Sequence, residues 1–180
     1  MKGIIFNILE EFVDRSYGEG SFDKLVDEAL GDSSEVFVSP ETYPDEKLFS
    51  LLDKIVEIRK VDLDDVLKSF GRYMFGKLAR KYPLFVQPYD NPKDFIKTVN
   101  DIIHIEVKKI FLESEPPIFL CVKESGNNMT IRYESKRNLS SLAEGLLNGV
   151  ADYYKKPIRI LDKKKVTEEN LCIFQLEFTS

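Results

Sequence analysis

Residues 115–137 read Glu-Pro-Pro-Ile-Phe-Leu-Cys-Val-Lys-Glu-Ser-Gly-Asn-Asn-Met-Thr-Ile-Arg-Tyr-Glu-Ser-Lys-Arg, and the chain changes character here. Proline has no N–H and its ring clashes with the preceding turn, so Pro116 and Pro117 stop any helix that reaches them. Beyond them the apolar residues alternate. Ile118 to Glu124 and Met129 to Glu134 read as strands, joined by the turn Ser125-Gly126-Asn127-Asn128. Upstream, apolar residues recur at three and four residues. Helices first and strands after predict an α+β fold, an N-terminal helical part followed by a mostly antiparallel sheet of about four strands with one inserted helix.

Working upstream, Asn91 followed by Pro92 is a helix start. The helix it opens is expected to run to about Leu112, with Ile96, Val99, Ile103, Val107 and Ile110 on one face. Tyr82 to Tyr89, with Pro83 and Pro88, reads as a connecting loop. Asp62 is expected to cap a helix carrying Val66, Leu67, Phe70, Met74, Phe75 and Leu78. Its Gly71 and Gly76 each cost about 1 kcal/mol relative to alanine. Such glycines persist where another helix or a flat ligand must come close, and the sequence leaves both open. A further helix is expected from about Asp45 to Arg59. Ser21 should N-cap a short helix through Leu30, closed by Gly31. Ile4, Ile5, Ile8, Leu9, Phe12 and Val13 form one face of a first helix ending before Gly18 and Gly20. Downstream, a helix from about Leu139 to Tyr154 precedes strands at Ile158–Asp162 and Leu171–Phe178. No repeat or long linker divides residues 1–180.

The formal net charge of −5 argues against a nucleic-acid partner. The run Lys163-Lys164-Lys165 reads as a solvated turn. Cys121 and Cys172 make no disulfide framework. Glu10, Glu11 and Asp14 end the first apolar run too early for a signal peptide or membrane span. The expectation is a soluble, cytoplasmic protein with no membrane partner.

The chain has one histidine, His104, beside the apolar stripe of the Asn91 helix. An imidazole there can hold iron through one nitrogen. On its own it reads more readily as a partly buried histidine bonded to backbone, because a lone histidine is a weak signal. Tyr133, Ser135 and Arg137 recur at two-residue spacing, which on an extended segment points all three to one side. Two hydroxyls and a guanidinium can hold a pair of carboxylates, and the Arg fork donates two parallel bonds to one of them. The bland alternative is a polar outer strand face. One iron ligand and one carboxylate-holding face together point to heme.

The Tyr-x-Ser-x-Arg motif, the histidine about thirty residues upstream and the Pro-Pro pair between them resemble the heme-nitric oxide/oxygen binding (H-NOX) family. Met1-Lys2-Gly3-Ile4-Ile5 and Phe70-Gly71 resemble it too, in order along essentially the whole chain. The resemblance implies a single sensor domain, with a helical subdomain at about 1–63 and a heme-holding subdomain at about 64–180. It implies heme b (iron protoporphyrin IX), with His104 as the iron ligand and Tyr133, Ser135 and Arg137 on the propionates. Pro117 matches the family proline that packs on the porphyrin and bends it.

Members that hold oxygen stably have a distal tyrosine where this chain has Leu142. The neighbouring pocket positions are Ile5, Leu9, Met74, Leu78 and Leu146, and none of the six donates a hydrogen bond. Tyr73 is the nearest polar candidate, turned about 100° from Met74 around its helix. Nitric oxide and CO are therefore the expected ligands, with little O2 binding. Some members carry a C-terminal zinc site of three cysteines and a histidine; here Ser140 stands in place of one cysteine and only Cys172 remains, so no structural metal is expected. Cys121 reads either as a thiol near the heme or as a small buried hydrophobe. The chain carries no cyclase, kinase or phosphodiesterase sequence and is expected not to be an enzyme. The resemblance implies output in trans to a histidine kinase or a cyclic-di-GMP enzyme. Two other classes are a cofactor-free interaction module and an enzyme using His104 with Asp101 or Glu106, which no nucleophile motif or phosphate loop supports.

Overall fold

Asp62 accepts a hydrogen bond from Asp64 N at 2.8 Å and starts α4 (Leu63–Lys81), one half of the spine of the molecule. The other half is α7 (Ser140–Tyr154). The two backbones touch. A Cβ built on Gly71 would stand 2.3 Å from Leu142 O, and one on Gly145 would stand 2.2 Å from Lys68 O. Gly71 is therefore explained by a neighbouring helix, whereas the space beside Gly76 is open.

The computed structural model describes residues 1–32, 35–111, 114–166 and 169–179. α1 (Gly3–Tyr17) and α3 (Asp45–Arg59) pack on α4, and α2 (Ser21–Leu30) packs on α1 and α3. With the spine they enclose a first core cluster that includes Phe6, Leu9, Leu48, Leu52 and Phe70. β1 (Ile118–Ser125), β2 (Asn128–Glu134), β3 (Ile158–Val166) and β4 (Leu171–Phe178) form one antiparallel sheet in the order β1-β2-β4-β3. Its inner residues Ile131, Phe174 and Leu176 centre a second cluster. α4 gives Phe70 and Met74 to the first cluster and Phe75 and Ala79 to the second; α7 gives Leu142 to the first and Leu147 and Val150 to the second. The α+β architecture is the one expected.

Several details differ. Ser21 is the first residue of α2 and not its cap: Gly20 occupies the left-handed cap position (φ 75°), and the Ser21 hydroxyl donates back to Tyr17 O. β3 runs four residues beyond the expected end at Asp162, so Lys163, Lys164 and Lys165 lie in a strand and not in a solvated turn. The reason is a polar network: Lys163 Nζ donates to Ser141 Oγ (2.9 Å) and Glu144 (2.7 Å), Ser141 donates to Asp64 (2.7 Å), and Lys165 reaches the same carboxylate at 3.2 Å.

The expected single helix from Asn91 is three segments: α5 (Pro92–Thr98), a π-helical turn (Val99–Ile103) and α6 (His104–Ile110). Its start is as expected, with the Asn91 side chain accepting from Asp94 N at 2.9 Å; the expected end at Leu112 lies outside the described residues. The Thr98 hydroxyl bonds Phe95 O at 2.7 Å, competing for the carbonyl that a regular helix would use. Val99, Ile102 and Ile103 are β-branched and stiff. A π turn holds about one extra residue and so rotates the next helical segment by roughly 100°. Ile110, placed by the α-helical period on the buried stripe, is 50% exposed.

Among the described residues, no helix is long and apolar enough to cross a membrane. Gly145→Ala should lower stability by about 2–3 kcal/mol, because a methyl group meets rigid backbone. Gly76→Ala should be neutral or stabilising by up to about 1 kcal/mol. Chemical denaturation of the two variants tests this; equal effects would show that the α4–α7 contact is not tight.

Candidate functional site

His104 opens α6, immediately after the π turn. Its Nδ1 is buried and has no hydrogen-bond partner. Loss of solvent pushes the imidazole pKa down to about 4; the Pro117 carbonyl opposes this and the Lys108 charge adds to it. The ring is therefore neutral at physiological pH, the form that ligates a metal. Neither the π turn nor α6 contains a fully buried residue, so the segment bearing the histidine is lightly attached to the rest of the fold.

Tyr133 lies on the inner face of β2, 4% exposed, with its ring edge-on to Phe119 and Phe174. Burial pushes its phenol up, against a smaller pull from the Ser135 hydroxyl. Ser135 and Arg137 do not continue the strand. β2 ends at Glu134, and Ser135 begins a turn in which its Oγ accepts from Arg137 N (3.2 Å) and its carbonyl accepts from Asn138 N (3.0 Å). The three residues are thus gathered at a strand end and a turn, not along one extended face.

Arg137 Nη1 donates to Glu115 O at 2.8 Å, and its Nε lies 2.7 Å from Asp45 Oδ2 without an aligned hydrogen bond. Asp45, at the start of α3, also takes the Met1 amino group at 2.7 Å. Burial alone would raise the Asp45 carboxyl, but the Met1 amino group and Arg137 outweigh it and hold it below the usual range. Sequence reading missed Asp45. The available signal was an acidic residue in the first turn of a helix, which is too common to stand out.

Ile5, Leu9, Met74, Leu78, Leu142 and Leu146 all belong to the first cluster or pack against it. Leu9, Met74 and Leu142 are buried in the first cluster, and Ile5, Leu78 and Leu146 pack partly buried against it. Leu146 also packs against the second cluster. Tyr73 turns to the surface, its hydroxyl 3.5 Å from Glu11 and its ring beneath Lys77. Tyr82, which sequence reading placed in the loop, packs on the edge of this apolar group, with its ring edge-on to Phe111. Pro117 is half-buried just before β1, and Cys121 is half-buried against the second cluster. Ser140 and Cys172 are both buried, beside the Lys163 network. Among the described residues no group of three or more His, Cys, Asp or Glu side chains is placed to hold a metal. Two open surface clefts, one around Arg72, Asp152 and Lys155 and one around Glu11, Lys77 and Arg80, include none of the expected site residues.

A model of the Haem-NO-binding family matches residues 2–161. The chain belongs to the Haem-NO-binding (H-NOX) family. Among solved structures it is similar to an H-NOX protein from Shewanella oneidensis in the Fe(II)NO ligation state, with 30% identity, all of both chains covered and a TM-score of 0.93. It is also similar to an unliganded Fe(II) H-NOX protein from K. algicida, with 25% identity, 100% and 97% of the chains covered and a TM-score of 0.88. Among curated proteins it is similar to the soluble guanylate cyclase gcy-31 of Caenorhabditis elegans, 22% identical over 149 residues. That match covers 76% of this chain and 20% of the relative, so the chain spans about a fifth of that protein's length.

H-NOX domains are heme-based gas sensors, and the residues present suit a heme. A neutral imidazole has a buried, unbonded nitrogen, a hydroxyl- and guanidinium-bearing turn stands at the end of β2, and the six apolar side chains lie in or against one core cluster. The His104 shift also has a consequence for stability. An unfolded histidine titrates near pH 6.5, whereas the folded one protonates only near 4. Between these values the unfolded chain alone binds the proton, so stability falls as the pH drops from 6.5 towards 4. Heme-free protein should lose roughly 3 kcal/mol by this route. Urea unfolding at pH 7.5 and 4.5 should show a smaller loss in His104→Gln; an equal loss would exclude His104 as the cause.

Proposed function

We propose that this chain senses nitric oxide, and binds CO, at the ferrous iron of heme b, with little affinity for O2. The observation that carries the reading is His104, a neutral, half-buried imidazole with a buried, unbonded nitrogen on a lightly held segment. Iron protoporphyrin IX would supply the ferrous centre at which the gas binds. His104 would hold the iron, and Tyr133, Ser135 and Arg137 the two carboxylates. Pro117, adjacent to the histidine, would press on the ring.

The ligand preference rests on Ile5, Leu9, Met74, Leu78, Leu142 and Leu146. Bound dioxygen carries partial negative charge and needs a donor. A charge-assisted hydrogen bond contributes about 1.5–3 kcal/mol, roughly tenfold to a hundredfold in affinity. These six side chains offer none, and Tyr73 is turned away to Glu11. Nitric oxide and CO on ferrous iron are less polar and lose little.

The signal would travel through the attachments of the chain itself. Arg137 is tied to Asp45 on α3, so a change at the carboxylates reaches the helical part at about residues 1–63. His104 can move because its segment buries no residue. The recipient would be a separate protein, a histidine kinase or a cyclic-di-GMP enzyme, biased by a shift between two arrangements of the domain.

Absorption spectra of the reduced protein decide the reading. A Soret band that shifts with nitric oxide and CO but not in air is expected; no band after reconstitution with hemin refutes it. His104→Gly should lose most of its heme. Leu142→Tyr, which adds a donor to the apolar group, should gain O2 affinity by roughly tenfold or more. An unchanged air spectrum in that variant would show that polarity at position 142 does not set the preference.

A further inference from the structure

The helical turn that carries His104 is laid along the free edge of β1. Phe119 pairs across the sheet with Tyr133, and its N–H donates to Asn100 Oδ1 at 3.3 Å instead of to another strand. The Asn100 amide nitrogen faces the other way and donates to Asp101 Oδ1 at 2.8 Å, which leaves the oxygen as the acceptor for the strand. Two residues earlier, on the chain leading into β1, is Pro117, whose carbonyl bears on the His104 imidazole and raises its pKa.

The spacings of the two residue pairs match. Asn100 and His104 are four residues apart, about one helical turn, and lie on one side of the segment. Pro117 immediately precedes β1 and Phe119 is its second residue, so the two are one strand repeat apart in sequence. A turn of helix advances ~5.4 Å and two strand residues ~6.7 Å, so one turn of helix lies beside one repeat of the strand edge. Besides Asn100, Val99 and Ile103 of the π turn hold it by packing half-buried against the second cluster. The π segment and α6 bury no residue, and Ile102 and Ile105 are each 48% exposed. Without Asn100, the Phe119 N–H would also stand unpaired at a half-covered edge.

We propose that Asn100 is a positioning residue, which by accepting from Phe119 N locks the turn onto β1 and sets where the His104 imidazole stands relative to the heme. The inference rests on His104 being the iron ligand. Because the π turn is wider than an α turn, it supplies the slack along which His104 would travel, and the Asn100–Phe119 bond opposes that travel. Losing the bond leaves the heme held by Tyr133, Ser135 and Arg137 but lets the turn drift, which weakens the bond between His104 and the iron.

The test uses heme-loaded Asn100→Ala and Asn100→Asp, with hydrogen exchange at the Phe119 amide and the iron–histidine stretching band of the reduced, unliganded protein as readouts. In Asn100→Ala the Phe119 amide should exchange about tenfold faster and the band should move to lower frequency. Asn100→Asp keeps an acceptor oxygen and should restore both. A wild-type band frequency in Asn100→Ala despite faster exchange would overturn the proposal, since Asn100 would then only cover the strand edge. Unchanged exchange would overturn it by removing the bond itself. Absence of the band from the wild-type protein would instead refute His104 as the ligand, and the positioning role with it.

Discussion

The rest of the structure depends on the contact between α4 and α7. Two helices ordinarily keep their axes 8–10 Å apart because side chains stand between them. Here Gly71 and Gly145 remove those side chains, and backbone meets backbone. The close approach lets each helix serve two cores at once: Phe70 and Met74 against Phe75 on α4, and Leu142 against Leu147 on α7. It also sets the spacing of the apolar side chains proposed to face the gas ligand. Met74 and Leu78 come from one helix, Leu142 and Leu146 from the other, and the spacing of the helices sets their separation.

The segment from Val99 to Ile110 is built on the opposite principle. It fully buries no residue, contains a π turn, and is held by the half-buried Val99 and Ile103 on the second cluster and by the Asn100 bond at a strand edge. Segments with little buried apolar area open at low free-energy cost, and functional motion draws on them. A rigid spine beside a lightly held histidine is a physical arrangement in which a ligand can move one part of the domain without unfolding the other. The energy that a long, well-packed helix would have contributed is given up where displacement is useful.

Electrostatics join the parts. Asp45 is shared between the Met1 amino group and Arg137, so α3, the N-terminus and the turn after β2 meet at one carboxylate. A second network, around Asp64, Ser141, Glu144 and Lys163, ties the spine to β3. It lies beside Ser140 and Cys172, where some H-NOX relatives were expected to carry zinc ligands. In this chain an ammonium group and two carboxylates provide the cross-link there.

Much was legible in the sequence because its signals are local. Pro116-Pro117, the alternation after it, the Asn91-Pro92 start and the Asp62 cap act on their own neighbours, so the order of elements and most of their ends follow from them. The spaced motif likewise identified His104, Tyr133, Ser135 and Arg137 as the residues to examine. What only the tertiary structure decided involves groups distant in the chain. The π turn is not written in periodicity, because Thr98 and three β-branched residues reshape a helix whose pattern still reads as regular. Ser135 and Arg137 leave the strand because a serine hydroxyl captures an N–H two residues on. The partners Asp45 for Arg137, Lys68 for Gly145 and Asn100 for Phe119 stand 19 to 92 residues away. A periodicity records which face of an element is buried, but not which atom of another element will meet it; that depends on how closely α4 and α7 pack, which is settled only when the chain folds.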